Sequence, residues 1–302
     1  MICKRIRDAV KSFVVGSCVA RARPVGAPRG AAAARSGTNP GVASCRHGAS
    51  PGGEGSTRRV SRALTRHSGR NLALSEQHNP GQDVVATCAA CWLSTREAQE
   101  RLHEDQSLLA EANTALAEAG LKLTKEMPIK HMAEVLIEDI GYAELGSKVK
   151  RPLEGIKIAG YVGCQTNRPF GIAGESFENP KYLDQLVETL GGDSIPDYEK
   201  KVQCCGGALT FSEPEKSQEM VKGLIEAAYD HGADLIVTPC PVCQMNVEVY
   251  QDQINQTYGT QFKMPVVYYS TLMAVAYGRS AKDAALNGQV IPAKRLEAIA
   301  GK

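Results

Sequence analysis

The chain has 302 residues, enough for two domains of ordinary size with real cores, and a hydrophobic share of 43%, as in a globular protein. It contains no apolar run near the ~18–20 residues of a membrane-spanning helix, so any membrane association is expected to run through a partner. The net charge of +2 conceals a split: residues 1–70 carry 14 Lys/Arg against 2 acidic residues, and residues 71–302 carry 21 against 31, an acidic balance that argues against nucleic acid as a partner.

From Arg21 to Arg70 the text is Arg, Ala, Gly, Ser and Pro without a period of 2 or 3.6. Such a segment buries too little surface to offset its ordering entropy, so residues 1–70 are expected to be disordered. An organellar presequence, a basic arm and a misread coding frame over residues 19–69 are the competing explanations. Order is expected from Asn71, with a helix end before Gly81 and a buried strand at Asp83–Thr87 leading to Cys88 and Cys91. Ser94-Thr95-Arg96-Glu97 fits a capping box for one long helix with Ala98, Leu102, Leu109, Ala112, Leu116 and Ala119 on one face and Gly120 as its stop. A short apolar element at Met127–Ile129, a helix over Ala133–Ile140 and a polar link at Gly146–Pro152 complete the first half.

The second half, residues 151–280, opens with a strand at Ile156–Val162 that delivers Cys164. Helices are predicted at Pro180–Leu190 and Glu213–His231, strands at Asp234–Thr238 and Met264–Tyr269, and a short helix at Leu272–Tyr277. Residues 281–302 show little pattern and are expected to be a surface tail.

Five of the ten cysteines stand in one rhythm: Cys164, Cys204-Cys205 followed by Gly206-Gly207, and Cys240-Pro241-Val242-Cys243. Adjacent cysteines bridge poorly to each other, so ligation of a metal is favoured over a disulfide framework. The set also repeats in part. Asp83–Thr87 before Cys88 parallels Asp234–Thr238 before Cys240, and Met127-Pro128-Ile129 parallels Met264-Pro265-Val266. Phe13-Val14-Val15-Gly16-Ser17-Cys18 parallels the approach to Cys164, whereas Gly52-Gly53 stands where the Cys-Cys-Gly is expected. The first copy, residues 71–150, thus keeps its back half and lacks its front half, which is why a misread frame at 19–69 is the preferred explanation.

This pattern resembles the cysteine-rich (CCG) domain of the B-type subunits of heterodisulfide reductase, over roughly residues 71–277. The resemblance implies an α/β fold of two pseudo-repeated CCG domains with short buried strands and flanking helices, the N-terminal copy degraded in its first half. It also implies that Cys164, Cys204, Cys205, Cys240 and Cys243 bind a non-cubane [4Fe-4S] cluster that cleaves or forms S–S bonds, with Cys88 and Cys91 as the remaining ligands of a second set. Glycines at 206 and 207 let backbone amides approach such a cluster, and Pro239 and Pro241 stiffen the loop carrying Cys240. Without a G-x-G-x-x-G fingerprint, electrons are expected to pass through partners, heterodisulfide reductase-like subunits A and C, in the cytoplasm. The substrate implied is a thiol, a disulfide or a carrier-bound sulfur, with a role in bacterial sulfur oxidation among the possibilities. Two alternatives stay open: an electron-transfer subunit of a glycolate, lactate or succinate oxidoreductase, and a structural zinc domain, although zinc takes four ligands. Cys3 and Cys45 read as incidental. His131 and His231 are candidate proton donors or caps, and Arg168 is a candidate for steering an anionic substrate or a plain surface residue.

Overall fold

The computed structural model of the chain describes residues 13–15, 68–172 and 174–301. The expectations for the basic segment and its reading frame otherwise lie outside the described residues. Two parallel sheets organise the rest. Strand β1 (Phe13–Val15) pairs with β2 (Val84–Ala86), which pairs with β3 (Ile129–His131). In the second sheet β4 (Lys157–Gly160) lies between β5 (Asp193–Ser194) and β6 (Leu235–Thr238), and β7 (Val266–Tyr268) pairs with the far side of β6.

The repeat holds residue by residue. Val84, four positions before Cys88, faces Phe13 and Ile129. Ile236, four positions before Cys240, faces Ala159 and Val266. Phe13 precedes Cys18 by the same five positions that separate Ala159 from Cys164. The short, wholly buried runs Val84–Ala86 and Leu235–Thr238 are those of strands covered on both faces, as parallel sheets require. Crossover helices supply the cover: Ala89–Glu104 in the first half, Tyr182–Thr189 and Pro214–Asp230 in the second. In both sheets the cysteines follow the C-terminal strand ends, where open α/β sheets place their ligands.

Three expectations are corrected. The first-half helix begins at Ala89, with Cys88 as its N-cap, and Ser94 lies inside it, donating to the Cys91 carbonyl at 3.2 Å. That helix is also broken: the Asp105 carboxylate accepts from Ser107 N and Leu108 N and starts a separate helix, Gln106–Ala117, since a side-chain acceptor at this position caps a new helix. The tail is not a surface segment. Leu286, Ala293, Leu296, Ile299 and Ala300 are buried in a core shared with Leu272 and Val275, because the short helix Lys294–Ala300 turns its apolar positions inward. Arg295 Nη1 pins that helix to Gly155 O and Asp234 Oδ2, each at 2.9 Å.

The two halves share one core. Leu72, Trp92 and Leu102 of the first belong to the same buried cluster as Leu183, Leu272 and Val275 of the second. The link expected over Gly146–Pro152 is docked, with Lys150 N and Arg151 N both donating to Ala276 O.

Candidate metal centre

The second-half thiols come together from three separate segments. Gly163, with φ +75°, turns the chain out of β4 into Cys164. Lys201 O then accepts from both Val162 N (2.9 Å) and Gly163 N (3.0 Å), holding this turn against the segment that leads to Cys204. Cys240 is the N-cap of the helix Pro241–Val249, and its sulfur accepts from Cys243 N at 3.4 Å. Pro241 at the first helical position costs no hydrogen bond there. The spacing C-x-x-C therefore puts both sulfurs on one helical turn.

The sulfurs form a continuous row. Cys204 hydrogen-bonds to Cys164 and to Cys205, Cys205 Sγ lies 3.6 Å from Cys243 Sγ, and Cys243 hydrogen-bonds to Cys240. Cys164 and Cys204 are partly exposed at one end, while the other three are buried. Proton sharing along the row splits the acidities. Hydrogen bonds from Cys164 and Cys205 pull the Cys204 thiol down to about 3, and the bond to Cys204 pushes Cys205 up to about 12. Cys240 is lowered by its bond to Cys243, and Cys243 is raised by Cys205.

Glycine is required beside the thiols. A Cβ at Gly163 would stand 3.3 Å from Cys243 Sγ; one at Gly207 would stand 2.8 Å from Val242 Cγ1 and 3.3 Å from Cys205 Sγ. Gly206, at φ +75°, donates its N–H to Cys204 Sγ at 3.3 Å. Behind the row, Asn246 Nδ2 donates to Cys205 O at 2.7 Å while its Oδ1 accepts from Thr210 Oγ1 at 2.7 Å. The buried Tyr161, its hydroxyl donating to Gln203 O at 2.7 Å, lies within electrostatic reach of Cys243, Cys205 and Cys164.

Cys88 and Cys91 reproduce the N-cap arrangement at the helix Ala89–Glu104 and hydrogen-bond to each other. That contact and burial push the Cys88 thiol upward, and Cys240 is near enough to add to the shift. The half-set therefore faces the full set across the junction between the sheets. Tyr268 spans it: its hydroxyl donates to the Thr87 carbonyl and feels both Cys240 and Cys88. Cys3, Cys18 and Cys45 lie outside the described residues. Among the described residues no three His, Cys, Asp or Glu side chains are drawn in to the shell of a single metal ion; the sulfurs are spread as a row.

The other candidates fall away from the chemistry. His131 is fully buried and held down to about 3 by desolvation, its Nδ1 accepting from Ala133 N at 3.2 Å. His231 caps a helix end and meets Glu199 at 2.9 Å near the surface. Arg168 is paired with Glu178 at 2.7 Å. Residues that sequence reasoning missed include Lys201, Asn246 and Tyr268. Asn246 stood one turn beyond Cys243, which is the signal that points to it; Lys201, in a Lys-Lys pair, looks like solvated surface.

The donor set fits an iron–sulfur cluster: five thiols, two backbone amides aimed at sulfur, and glycines where side chains would intrude. The cysteine-rich domain (CCG) family matches residues 158–248. The "8-methylmenaquinol:fumarate reductase membrane anchor subunit" of Wolinella succinogenes is 34% identical over 228 residues, covering 75% of this chain and 78% of that protein. The B-type subunit of the ferredoxin/F(420)H(2)-dependent CoB-CoM heterodisulfide reductase of Methanosarcina acetivorans is 31% identical over 226 residues, 74% of each chain. A solved structure of a hypothetical protein from Helicobacter pylori shares the fold at a TM-score of 0.61 and 15% identity, over 76% of this chain and 42% of that one. By these likenesses the chain belongs to the heterodisulfide reductase B-like family of cysteine-rich (CCG) domain proteins, as an iron–sulfur oxidoreductase subunit.

Proposed function

We propose that this chain is the subunit of a heterodisulfide reductase-like complex at which S–S bonds are broken or made, and that Cys164, Cys204, Cys205, Cys240 and Cys243 hold one non-cubane [4Fe-4S] cluster. The observation that carries this reading is the unbroken row of five sulfurs ending in the partly exposed pair Cys164 and Cys204. A cluster bound there supplies one-electron steps to a sulfur substrate. The chain's own residues do the rest. Lys201 O and the glycine turns fix the spacing of the thiols, Gly206 N–H and Cys243 N–H offer hydrogen bonds to sulfur, and the buried side of the row excludes water.

Electrons arrive from, or leave to, partner subunits of the A and C type, in keeping with relatives named as subunits of reductases. Thiolate ligands of an iron–sulfur cluster persist in a reducing compartment such as the cytoplasm. Among the described residues no helix is long and apolar enough to cross a membrane. A second reading, electron transfer without sulfur chemistry, is favoured by the Wolinella relative, whose name places it in a quinol:fumarate reductase. Addition of a thiol or a disulfide to the loaded, anaerobic protein separates the two. A changed paramagnetic spectrum is expected for the sulfur chemistry, and an unchanged one with normal electron flow overturns it.

A further inference from the structure

A cavity of about 550 Å³ opens at the end of the second sheet opposite the thiols. Asp234 and Leu235, where β6 begins, line it, and so does Pro265 at the start of β7. Cys240 lies beyond the other end of β6, about 13 Å of strand away. The remaining walls include the last turn of the helix Pro241–Val249 and residues 290–295 of the tail. Most polar groups here are committed to the fold. Asp234 pairs with Arg295, Glu248 Oε1 accepts from Ile291 N at 3.1 Å, and the Gln251 amide bonds to Val247 O, Met264 O and Met264 N. Lys263, Lys294 and Asp252 stand exposed at the rim. Among the described residues neither lysine ammonium has a hydrogen bond or an ion pair. The walls are largely aliphatic. Val249 and Val290 are 43% and 59% exposed, and both line the cavity with Ile291 and Pro292, so apolar surface is gathered in one concavity. Phe262 gives one face to Tyr229, with ring centres 5.8 Å apart, so the lining offers aliphatic contact rather than a stacking sandwich for a planar base. A cavity of this size suits one small ligand. Branched aliphatic walls beneath unpaired ammonium groups suit a hydrocarbon chain with an anionic head.

We propose that this cavity is a second binding site, separate from the thiol row, for an amphipathic anion: an aliphatic chain lying along Val249 and Val290, its carboxylate held by Lys263 and Lys294. Asp252 on the same rim opposes further negative charge, which favours a singly charged head over a phosphate dianion. The ligand is a free molecule taken from solution, because a concavity admits one chain where a bilayer needs a projecting apolar face. Glu248 and Val249 end the helix whose first turn carries Cys240 and Cys243, so the occupant touches an element of the thiol site from its far end. The site does not depend on the cluster reading.

The test is calorimetric titration of the anaerobic full chain with decanoate, neutral decanol and decyltrimethylammonium, each below its micelle-forming concentration. One decanoate per chain is expected to bind, about three- to tenfold more tightly than decanol, with the preference shrinking as salt is raised. The cation should bind most weakly. Lys263→Gln/Lys294→Gln should erase the preference while decanoate and decanol still bind. Val290→Asp, at an exposed position, puts a charge in the apolar wall and should abolish decanoate binding; circular dichroism on the same samples checks the fold. Should that variant unfold, Val249→Asp is judged by the same criterion. Absence of saturable decanoate binding by the wild type overturns the proposal, as does equal binding of the three amphiphiles. So do undiminished binding by a folded Val290→Asp, a folded lysine variant that keeps the preference, and capture of the chain by anionic phosphatidylglycerol vesicles without binding of dissolved decanoate.

Discussion

Replacing Lys201 by Met should be among the most damaging single changes in the second half. Lys201 and Asp184 are each 3% exposed and meet at 2.5 Å; the ammonium also donates to Asn179 Oδ1 and Pro196 O, both at 3.2 Å. Burial holds the Asp184 carboxyl above its ordinary range despite the neighbouring ammonium, and its Oδ1 has no hydrogen-bond partner. Met fills most of the lysine stem's space but strands this carboxyl, at about 3–5 kcal/mol for breaking a buried pair from one side. That is a large part of a total stability of roughly 5–15 kcal/mol. The double variant D184L/K201M removes both charges and should recover all but about 1–2 kcal/mol, the residue of two acceptors left without a donor. Urea unfolding followed by circular dichroism measures all three proteins. A K201M loss below about 1 kcal/mol, or a double variant no better than the single one, refutes the reasoning. Because the Lys201 side chain anchors the backbone whose carbonyl holds the turn into Cys164, K201M should also retain less iron than the wild type under chelator challenge.

Three further outcomes follow from the same geometry. N246A strands Cys205 O, while Thr210 Oγ1 keeps Gly207 O and Ser217 Oγ as partners, and should cost about 1–3 kcal/mol and speed iron loss; a wild-type rate in a folded variant counts against Asn246 as a support of the site. His131 is pulled from 6.5 to about 3, so its contribution is full above pH 6.5 and is lost as pH falls towards 3. The wild type should therefore lose about 3 kcal/mol relative to H131F between pH 6.5 and pH 4, and parallel stability curves contradict this; Glu134, raised to about 7 by burial, acts in the opposite sense in both proteins. Y268F removes the tether to the Thr87 carbonyl and should quicken amide exchange around Val84–Cys91 without unfolding the chain, whereas unchanged exchange shows that the halves are held together without it.

Much of this was legible in the residue pattern because period and punctuation agree there. Strand β6, the helix Pro214–Asp230 and the stops at Gly120, Gly141 and Gly232 carry strong local signals, and the spacing of five cysteines points to the candidate site. The misreadings have local causes. Ser94 looks like a cap, but Cys88, with the following Ala-Ala, starts the helix a turn and a half earlier. Asp105 reads as one polar residue on a long helix, yet its carboxylate finds two amides and restarts the chain. Leu286, Leu296 and Ile299 are too few to show a period, so their burial depends on a core assembled from distant segments. Lys201 and Tyr268 escape for a related reason: their roles exist only through contacts with Asp184 and Thr87.

The central claim is most directly tested by metal and sulfide analysis of anaerobically purified full chain beside its Cys→Ser variants at 164, 204, 205, 240 and 243. The account predicts about four irons and four acid-labile sulfides per chain, a paramagnetic signal after oxidation, and loss or alteration of that signal in each of the five variants. Stoichiometric zinc without sulfide, or a signal indifferent to Cys204→Ser and Cys205→Ser, contradicts it.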